Sequence, residues 1–555
     1  MHPCKTVNGY IAQTLRDNAE LDALTDIGGT NLLYKDVARK VAKLHLLLEH
    51  AGVRRGDKVV ICGRNSAHWA VAAIALLTYG AVAVPVLNDF KPDTIHHLIT
   101  FSQARLLFTT GTQWANLDPA MMPTVEGVLR LHDYSLLHTR SKKLAYARAN
   151  LNRLFGERYP ERFTPEALKV YEPKDQNELA IINYTSGSSG FSKGVMISYK
   201  NLWSNVQFSI DGLTFLKPGD GMVCMLPLAH MYGLVFEMLH TFVKGCHLHF
   251  LTRTPSPRVI MEAFERVRPK LVITVPLILE KIIRTRVFPQ LDKPLMKLLL
   301  HTPIIERKVL AKVRERIIGV FGGRLREVII GGAALNKDVE AFLRRINFPV
   351  TVGYGMTECA PLVTYAPWDR QRPGSCGRLA DRMQARVRST DPEHIPGTLE
   401  VKGDNVMLGY YNNPEATSEA FTSDGWLDTG DICTIDADGY LYIRGRDKNM
   451  ILGPSGQNIY PEEIEQKLNN MPYVGESLVI DDGDGKLAAL VHPDLEALSA
   501  AGIAATQAES LMKQNIATLN AELPAYSQIR RLKVMHEEFE KTPKRSIKRY
   551  LYQSK

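Results

Sequence analysis

Residues 182–201, INYTSGSSGFSKGVMISYKN, gather the groups that bind phosphate. Thr185, Ser186, Ser188 and Ser189 carry hydroxyls, Gly187 and Gly190 leave the backbone open, and Lys193 adds an ammonium. A loop of this composition can present N–H groups, hydroxyls and one cation to a polyphosphate. It follows one apolar run and precedes another, which a flexible linker does not usually do. The Walker pattern is not met, because Ser192 stands where a glycine must precede the lysine.

Further along, MLPLAHMYG contains His230, VIIGGAAL ends an apolar run in Gly331, Gly332 and Ala333, and TVGYGMTECAP brings Tyr354, Thr357 and Glu358 within five positions. Small residues at a strand end let a flat ring approach the backbone. A longer segment at 425–465, GWLDTGDICTIDADGYLYIRGRDKNMILGPSGQNIYPEEIE, holds Asp431, Arg446, Lys448 and Gly456. Taken singly, each has a plain structural explanation: a core histidine, a strand-end turn, a solvated aspartate or a turn glycine.

Their order is more informative than any one of them. Together the segments resemble the AMP-forming adenylating superfamily, whose phosphate loop reads approximately YTSGTTGxPKGV. Thr185, Ser186, Gly187, Gly190, Lys193 and Gly194 match it, Ser188 and Ser189 keep hydroxyls, and Ser192 replaces the usual proline. The resemblance implies ATP, Mg²⁺ and coenzyme A as cosubstrates and cofactor. It places His230 near the acyl pocket and the adenylate, Gly331 to Ala333 and Tyr354 against adenine, and Thr357 on the α-phosphate. Glu358 would hold Mg²⁺, which favours one or two carboxylates plus substrate oxygens. Asp431 and Arg446 match the ribose-contacting pair, Lys448 the hinge of a rotating C-terminal domain, and Gly456 the border of the coenzyme A tunnel. Within the superfamily, FGGRLREVIIGGAAL, RPGSCGR and EKTPKRSIKRYLY look most like bacterial long-chain fatty-acid coenzyme A ligases.

One departure stands out. Similar enzymes carry a catalytic lysine three residues before a C-terminal arginine; here Arg549 sets the register and Ser546 occupies the lysine position. In an extended segment Lys544, Ser546 and Lys548 share a face, each lysine displaced by roughly 6–7 Å from the serine. Lys544 is the first candidate to replace the missing cation, and Lys548 the second.

The elements that must position these residues read as α/β. Short apolar runs at 58–62, 106–109, 271–275 and 327–330 alternate with helical patterns, the signature of layered, largely parallel sheets. Between 397 and 442, Gly, Asp and Asn punctuate short runs that indicate a small antiparallel section. From 446 a helix pattern, the runs ESLVI and LAALVHP and a second helix make a unit of domain size. The resemblance divides the chain into an N-terminal portion, 1–445, of three subdomains and a small mobile α+β domain, 446–555.

The 555 residues exceed what one core supports. The formal charge of +9 concentrates at 140–153, 281–326 and 530–549 and favours anionic ligands. Without zinc-finger spacing, a helix-turn-helix pattern or an arginine-glycine tract, nucleic acid is not expected. Seven cysteines without a CxxC pair argue against a disulfide framework and fit a reducing cytoplasm, and the N-terminus has no signal-peptide design. The uncharged stretch at 69–87 is divided by Gly80 and Pro85 and reads as helix, turn and buried strand rather than a membrane span. Peripheral contact of 140–153 with anionic lipid is open, a solvated basic face being the simpler reading. Two other functions remain open: loading of a separate carrier protein in place of coenzyme A, and a nucleotide- or acyl-binding protein that has lost catalysis. Oligomeric state is not legible.

Overall fold

Ser66 opens a helix at Ala67–Tyr79 by accepting the Trp69 N–H on its side chain, and Gly80 closes it at φ +90°. A Cβ at Gly80 would lie 2.8 Å from the Tyr171 ring, so glycine is needed both for the left-handed turn and for the close approach. The chain then enters the strand Val82–Val86, buried at every position. The helix is buried at every position but Tyr79, and helix, turn and buried strand follow in the order that the sequence reading of 69–87 anticipated. Among the described residues no helix is long and apolar enough to cross a membrane.

The computed structural model describes residues 4–185, 193–253, 256–291, 303–452, 457–483, 486–541 and 547–553. Val82–Val86 belongs to an eight-stranded mixed sheet. Its order is Gly409–Tyr410, Lys193–Ser198, Leu179–Thr185, Val82–Val86, Lys58–Cys62, Leu106–Thr109, Gly127–Arg130 and Leu136–Thr139. A second, parallel sheet joins Leu271–Thr274, Glu327–Ile330 and Val350–Val352. A third joins Gly221–Cys224 and Asp22–Asp26 through His247–Phe250. The expected antiparallel section is a four-stranded sheet in the order Met383–Arg388, Gly397–Gly403, Leu427–Ile435, Leu441–Arg446.

Beyond it, a separate core of Ile451, Ile459, Ile464, Leu468, Val479, Val491, Met512, Leu519 and Ile529 supports a small α+β domain. Its sheet is Val474–Asp481, Leu487–Pro493 and Ile529–Val534, packed by helices Pro461–Leu468 and Ala508–Glu522. Arg549 fastens the chain end to this core. Its guanidinium donates to Glu465 at 2.6 Å and to the Val479 carbonyl at 2.9 Å, while Glu465 also accepts the Val479 N–H at 2.6 Å. Burial pushes the Glu465 carboxyl above its usual range, and the guanidinium opposes that shift.

Removing one partner of a buried pair leaves an uncompensated charge. Arg549→Met is therefore expected to destabilise the C-terminal domain by about 3–5 kcal/mol while sparing the N-terminal core. Urea unfolding followed by domain-resolved hydrogen exchange checks this; uniform loss of protection in both domains would contradict it.

Candidate active site

The parallel strands Leu271–Thr274, Glu327–Ile330 and Val350–Val352 all end at one edge, where open α/β sheets place their ligands. Glu327–Ile330 runs into Gly331, Gly332 and Ala333, with Gly332 at φ +85° and both Gly332 and Ala333 exposed. The Gly331 N–H bonds to the Thr274 carbonyl at 3.2 Å and the Gly353 N–H to the Ile330 carbonyl at 2.8 Å, so the three strand ends are tied together. Tyr232, two residues past His230, donates its hydroxyl to the Ile329 carbonyl at 3.1 Å. Its ring lies where a Cβ on Gly331 would stand, 3.0 Å away. The loop carrying half-buried His230 thus abuts the small-residue turn.

Val350–Val352 continues into Tyr354, whose hydroxyl donates to Asp431 Oδ2 at 2.5 Å. Asp431 sits opposite Arg446 on neighbouring strands, and Arg446 Nε reaches Oδ1 at 2.8 Å. The carboxylate is only 4% exposed. Burial raises its pKa against the pull of Arg446, and raises that of Tyr354 further, with the Asp431 charge adding to it. Tyr354 therefore keeps its proton and donates it.

After Tyr354 and Gly355 the chain turns sharply: a Cβ on Gly355 would lie 2.1 Å from the Pro361 carbonyl oxygen. The turn delivers the short helical segment Thr357–Cys359, with Thr357 buried and Glu358 half-buried. Glu358 Oε1 accepts the Tyr410 hydroxyl at 3.0 Å. The Tyr410 ring in turn carries Lys193 Nζ 4.8 Å from its centroid. Tyr410 is positioned by pairing of Gly409–Tyr410 with Lys193–Ser198, which pairs with Leu179–Thr185 in the register Thr185 opposite Lys193. Lys193 opposite Thr185, an aromatic ring and the carboxylate form one line.

These contacts bring together Thr185, Lys193, Thr357, Glu358, Tyr354, Asp431 and Arg446 in one group and His230, Gly331, Gly332 and Ala333 in another, joined through the strand ends. Ser186, Gly187, Ser188, Ser189, Gly190, Gly456 and Lys544 lie outside the described residues. Lys448 is exposed on a turn at Asp447–Asn449, directly after the Arg446 strand. Lys548 pairs with Glu540 at 3.0 Å beside the anchored Arg549, on the C-terminal domain itself. Sequence reasoning missed Tyr410 and Tyr232. Tyr410 lies in GYYNNPEAT, more than two hundred residues from Lys193, and nothing local marks it; Tyr232 was in plain view within MLPLAHMYG.

Comparison with known proteins assigns the family. A family model described as AMP-binding enzyme matches residues 11–411, and one described as AMP-binding enzyme C-terminal domain matches 448–555. The chain belongs to the AMP-binding enzyme family. It is 27% identical over 498 residues to the long-chain-fatty-acid–CoA ligase FadD15 of Mycobacterium bovis, covering 84% of this chain and 78% of the relative. It is 30% identical over 460 residues to a feruloyl-CoA synthase of Amycolatopsis, covering 82% and 81%. Among solved structures, the anthranilate CoA ligase AuaEII in complex with anthranoyl-AMP superposes with a TM-score of 0.78 at 20% identity, over 99% of this chain and 97% of that one. That likeness is one of fold.

A methyl group on Gly331 would press on a tyrosine ring that is itself held by its hydroxyl. Gly331→Ala is expected to weaken ATP binding roughly tenfold, about 1.4 kcal/mol, by tilting the turn. Titration calorimetry with ATP checks this; unchanged affinity would mean that no flat base lies against the turn.

Proposed function

We propose that this member of the AMP-binding enzyme family activates a fatty acid, most fittingly a long-chain one, as an acyl-adenylate and transfers the acyl group to coenzyme A. The observation that carries the reading is the continuous line from Lys193 through Tyr410 to Glu358, set beside the buried Asp431 with half-buried Tyr354 and exposed Arg446 on its two oxygens. A cation and a carboxylate at the base of a phosphate loop, next to a sugar-sized pair of polar groups, fit a nucleoside triphosphate. The fatty-acid assignment draws on the name of the mycobacterial relative; the ferulate relative shows that the family is not confined to fatty acids.

In the first half-reaction a carboxylate oxygen attacks the α-phosphorus, the new C–O–P anhydride forms, and the bond to pyrophosphate breaks with the electron pair leaving on pyrophosphate. Lys193, beside Tyr410, and the Thr357 hydroxyl would spread the charge on the phosphates. Glu358 fits a Mg²⁺ site, because one carboxylate oxygen is fixed by Tyr410 and the group is half-exposed beside Thr357; the bound ion would neutralise phosphate charge there. Asp431 and Arg446 would orient the ribose, and Gly331 to Ala333 with the Tyr354 ring would receive adenine. In the second half-reaction the coenzyme A sulfur, having lost its proton, attacks the acyl carbonyl carbon and the bond to AMP breaks.

Lys448, directly after the Arg446 strand, is the proposed hinge. The domain contacts it would release are polar: Arg284 with Asn470 at 3.0 Å, and Gln466 with the Leu335 carbonyl at 3.0 Å. Contacts of this kind permit relative motion. Lys544 is proposed to supply the cation that Ser546 does not, and the ion pair of Lys548 with Glu540 favours it over Lys548.

Labelled pyrophosphate is expected to exchange into ATP only when Mg²⁺ and a fatty acid are present, with rates across an acid panel ranking chain lengths above aromatic acids. No exchange with any acid would favour a binding protein, and exchange only with aromatic acids would overturn the substrate class. Separately, Lys544→Ala should abolish exchange yet leave thioester formation from supplied acyl-adenylate within about threefold of wild type. Normal exchange by Lys544→Ala with loss in Lys548→Ala would transfer the role to Lys548.

A further inference from the structure

Residues 225–230, between the strand Gly221–Cys224 and the helical turns that begin at Met231, form an irregular stretch that is mostly buried, with Leu228 at 0% exposure. Irregular backbone inside a protein must find partners for its polar groups. Side chains from three distant places supply them. Glu237 accepts the N–H groups of Met225 at 3.1 Å and Leu226 at 2.9 Å. Asn65 donates to the Leu226 carbonyl at 2.7 Å and accepts from the Leu228 N–H at 2.9 Å. Asn183 donates to the Ala229 carbonyl at 2.8 Å, one residue before His230.

Asn183 differs from the other two in what it gains. It is fully buried in the strand Leu179–Thr185 among Ile181, Ile182 and Tyr184, and its Oδ1 has no hydrogen-bond partner among the described residues. Burying an amide with one end unpaired recovers only part of its desolvation cost, so the bond to Ala229 adds little net stability. What it does add is a fixed distance. Asn183 stands two residues before Thr185, where the phosphate loop begins, and its bond reaches the backbone that presents His230.

We propose that Asn183 is a positioning residue that couples the strand carrying the phosphate loop to the turn carrying His230, so that the phosphate and acyl sides of the site keep one spacing. The inference rests on the reading of His230 as a residue of the acyl and adenylate site. Without the bond the two sides drift independently, and small displacements of reacting groups are costly to rate.

The test is a double-mutant cycle of Asn183→Val and His230→Ala, read by kcat and KM for ATP-dependent adenylation and by thermal unfolding. Asn183→Val is expected to lose about tenfold in kcat with little change in KM for ATP and an unfolding temperature equal to or above wild type. On the His230→Ala background the same substitution should cost less than about twofold, because the residue it acts through is gone. Equal losses on both backgrounds, or full activity of Asn183→Val, would overturn the inference while leaving the site reading intact. Full activity of His230→Ala would overturn both. If the valine variant does not fold, Asn183→Thr gives the same cycle, since its shorter hydroxyl cannot reach the Ala229 carbonyl.

Discussion

A carboxylate buried to 4% exposure has to be paired, and the pairing of Asp431 organises the centre of this protein. One oxygen takes the Tyr354 hydroxyl and the other the Arg446 guanidinium. Tyr354 follows the last strand of the parallel sheet, Asp431 lies within the antiparallel sheet, and Arg446 ends the strand from which the chain leaves for the C-terminal domain. One charge thereby fixes two sheets and the start of the domain connection relative to each other. Taking away Tyr354 or Arg446 would leave an oxygen of the buried Asp431 without its partner, a cost large enough to move the elements that carry it.

The remaining site residues are held by the same economy of contacts. Each motif sits where a strand ends, so its own element gives it a direction but not a distance from the others. The distances come from side chains that reach between elements: Tyr410 between Lys193 and Glu358, Tyr232 between the His230 turn and the Ile329 carbonyl, Asn183 between the strand Leu179–Thr185 and Ala229. One of these closes on a glycine, Gly331 under the Tyr232 ring, where a Cβ would be crowded; the turn after Tyr354 needs another, Gly355, where a Cβ would lie 2.1 Å from the Pro361 carbonyl oxygen.

Much of this was legible beforehand, and the pattern of what was not is physical. The α/β layering, the antiparallel section and the reading of 69–87 as helix, turn and strand follow from local periodicity and turn chemistry, which the sequence displays residue by residue. The strand Leu487–Pro493 coincides with the run LAALVHP, and the helix Pro461–Leu468 falls within YPEEIEQKLNNM. Asp431 and Arg446 were named from their motif, and their pairing is a cross-strand register. Tyr410 was invisible because its partners are remote in sequence and no spacing links them. Asn183 was hidden for another reason: a lone asparagine in an apolar strand has no signature until the carbonyl it meets is known. Arg549 served only to set a register in the sequence, whereas in the fold it is the anchor of the chain end on Glu465 and Val479.

The central claim is that the acid is activated by bonding to the α-phosphorus of ATP. Supplying a fatty acid labelled with ¹⁸O in both carboxylate oxygens, together with ATP and coenzyme A, and weighing the products by mass spectrometry tests it in one experiment. The account predicts one ¹⁸O in AMP and one retained in the thioester. Label in inorganic phosphate or pyrophosphate with unlabelled AMP would mean attack at another phosphorus, and would contradict it.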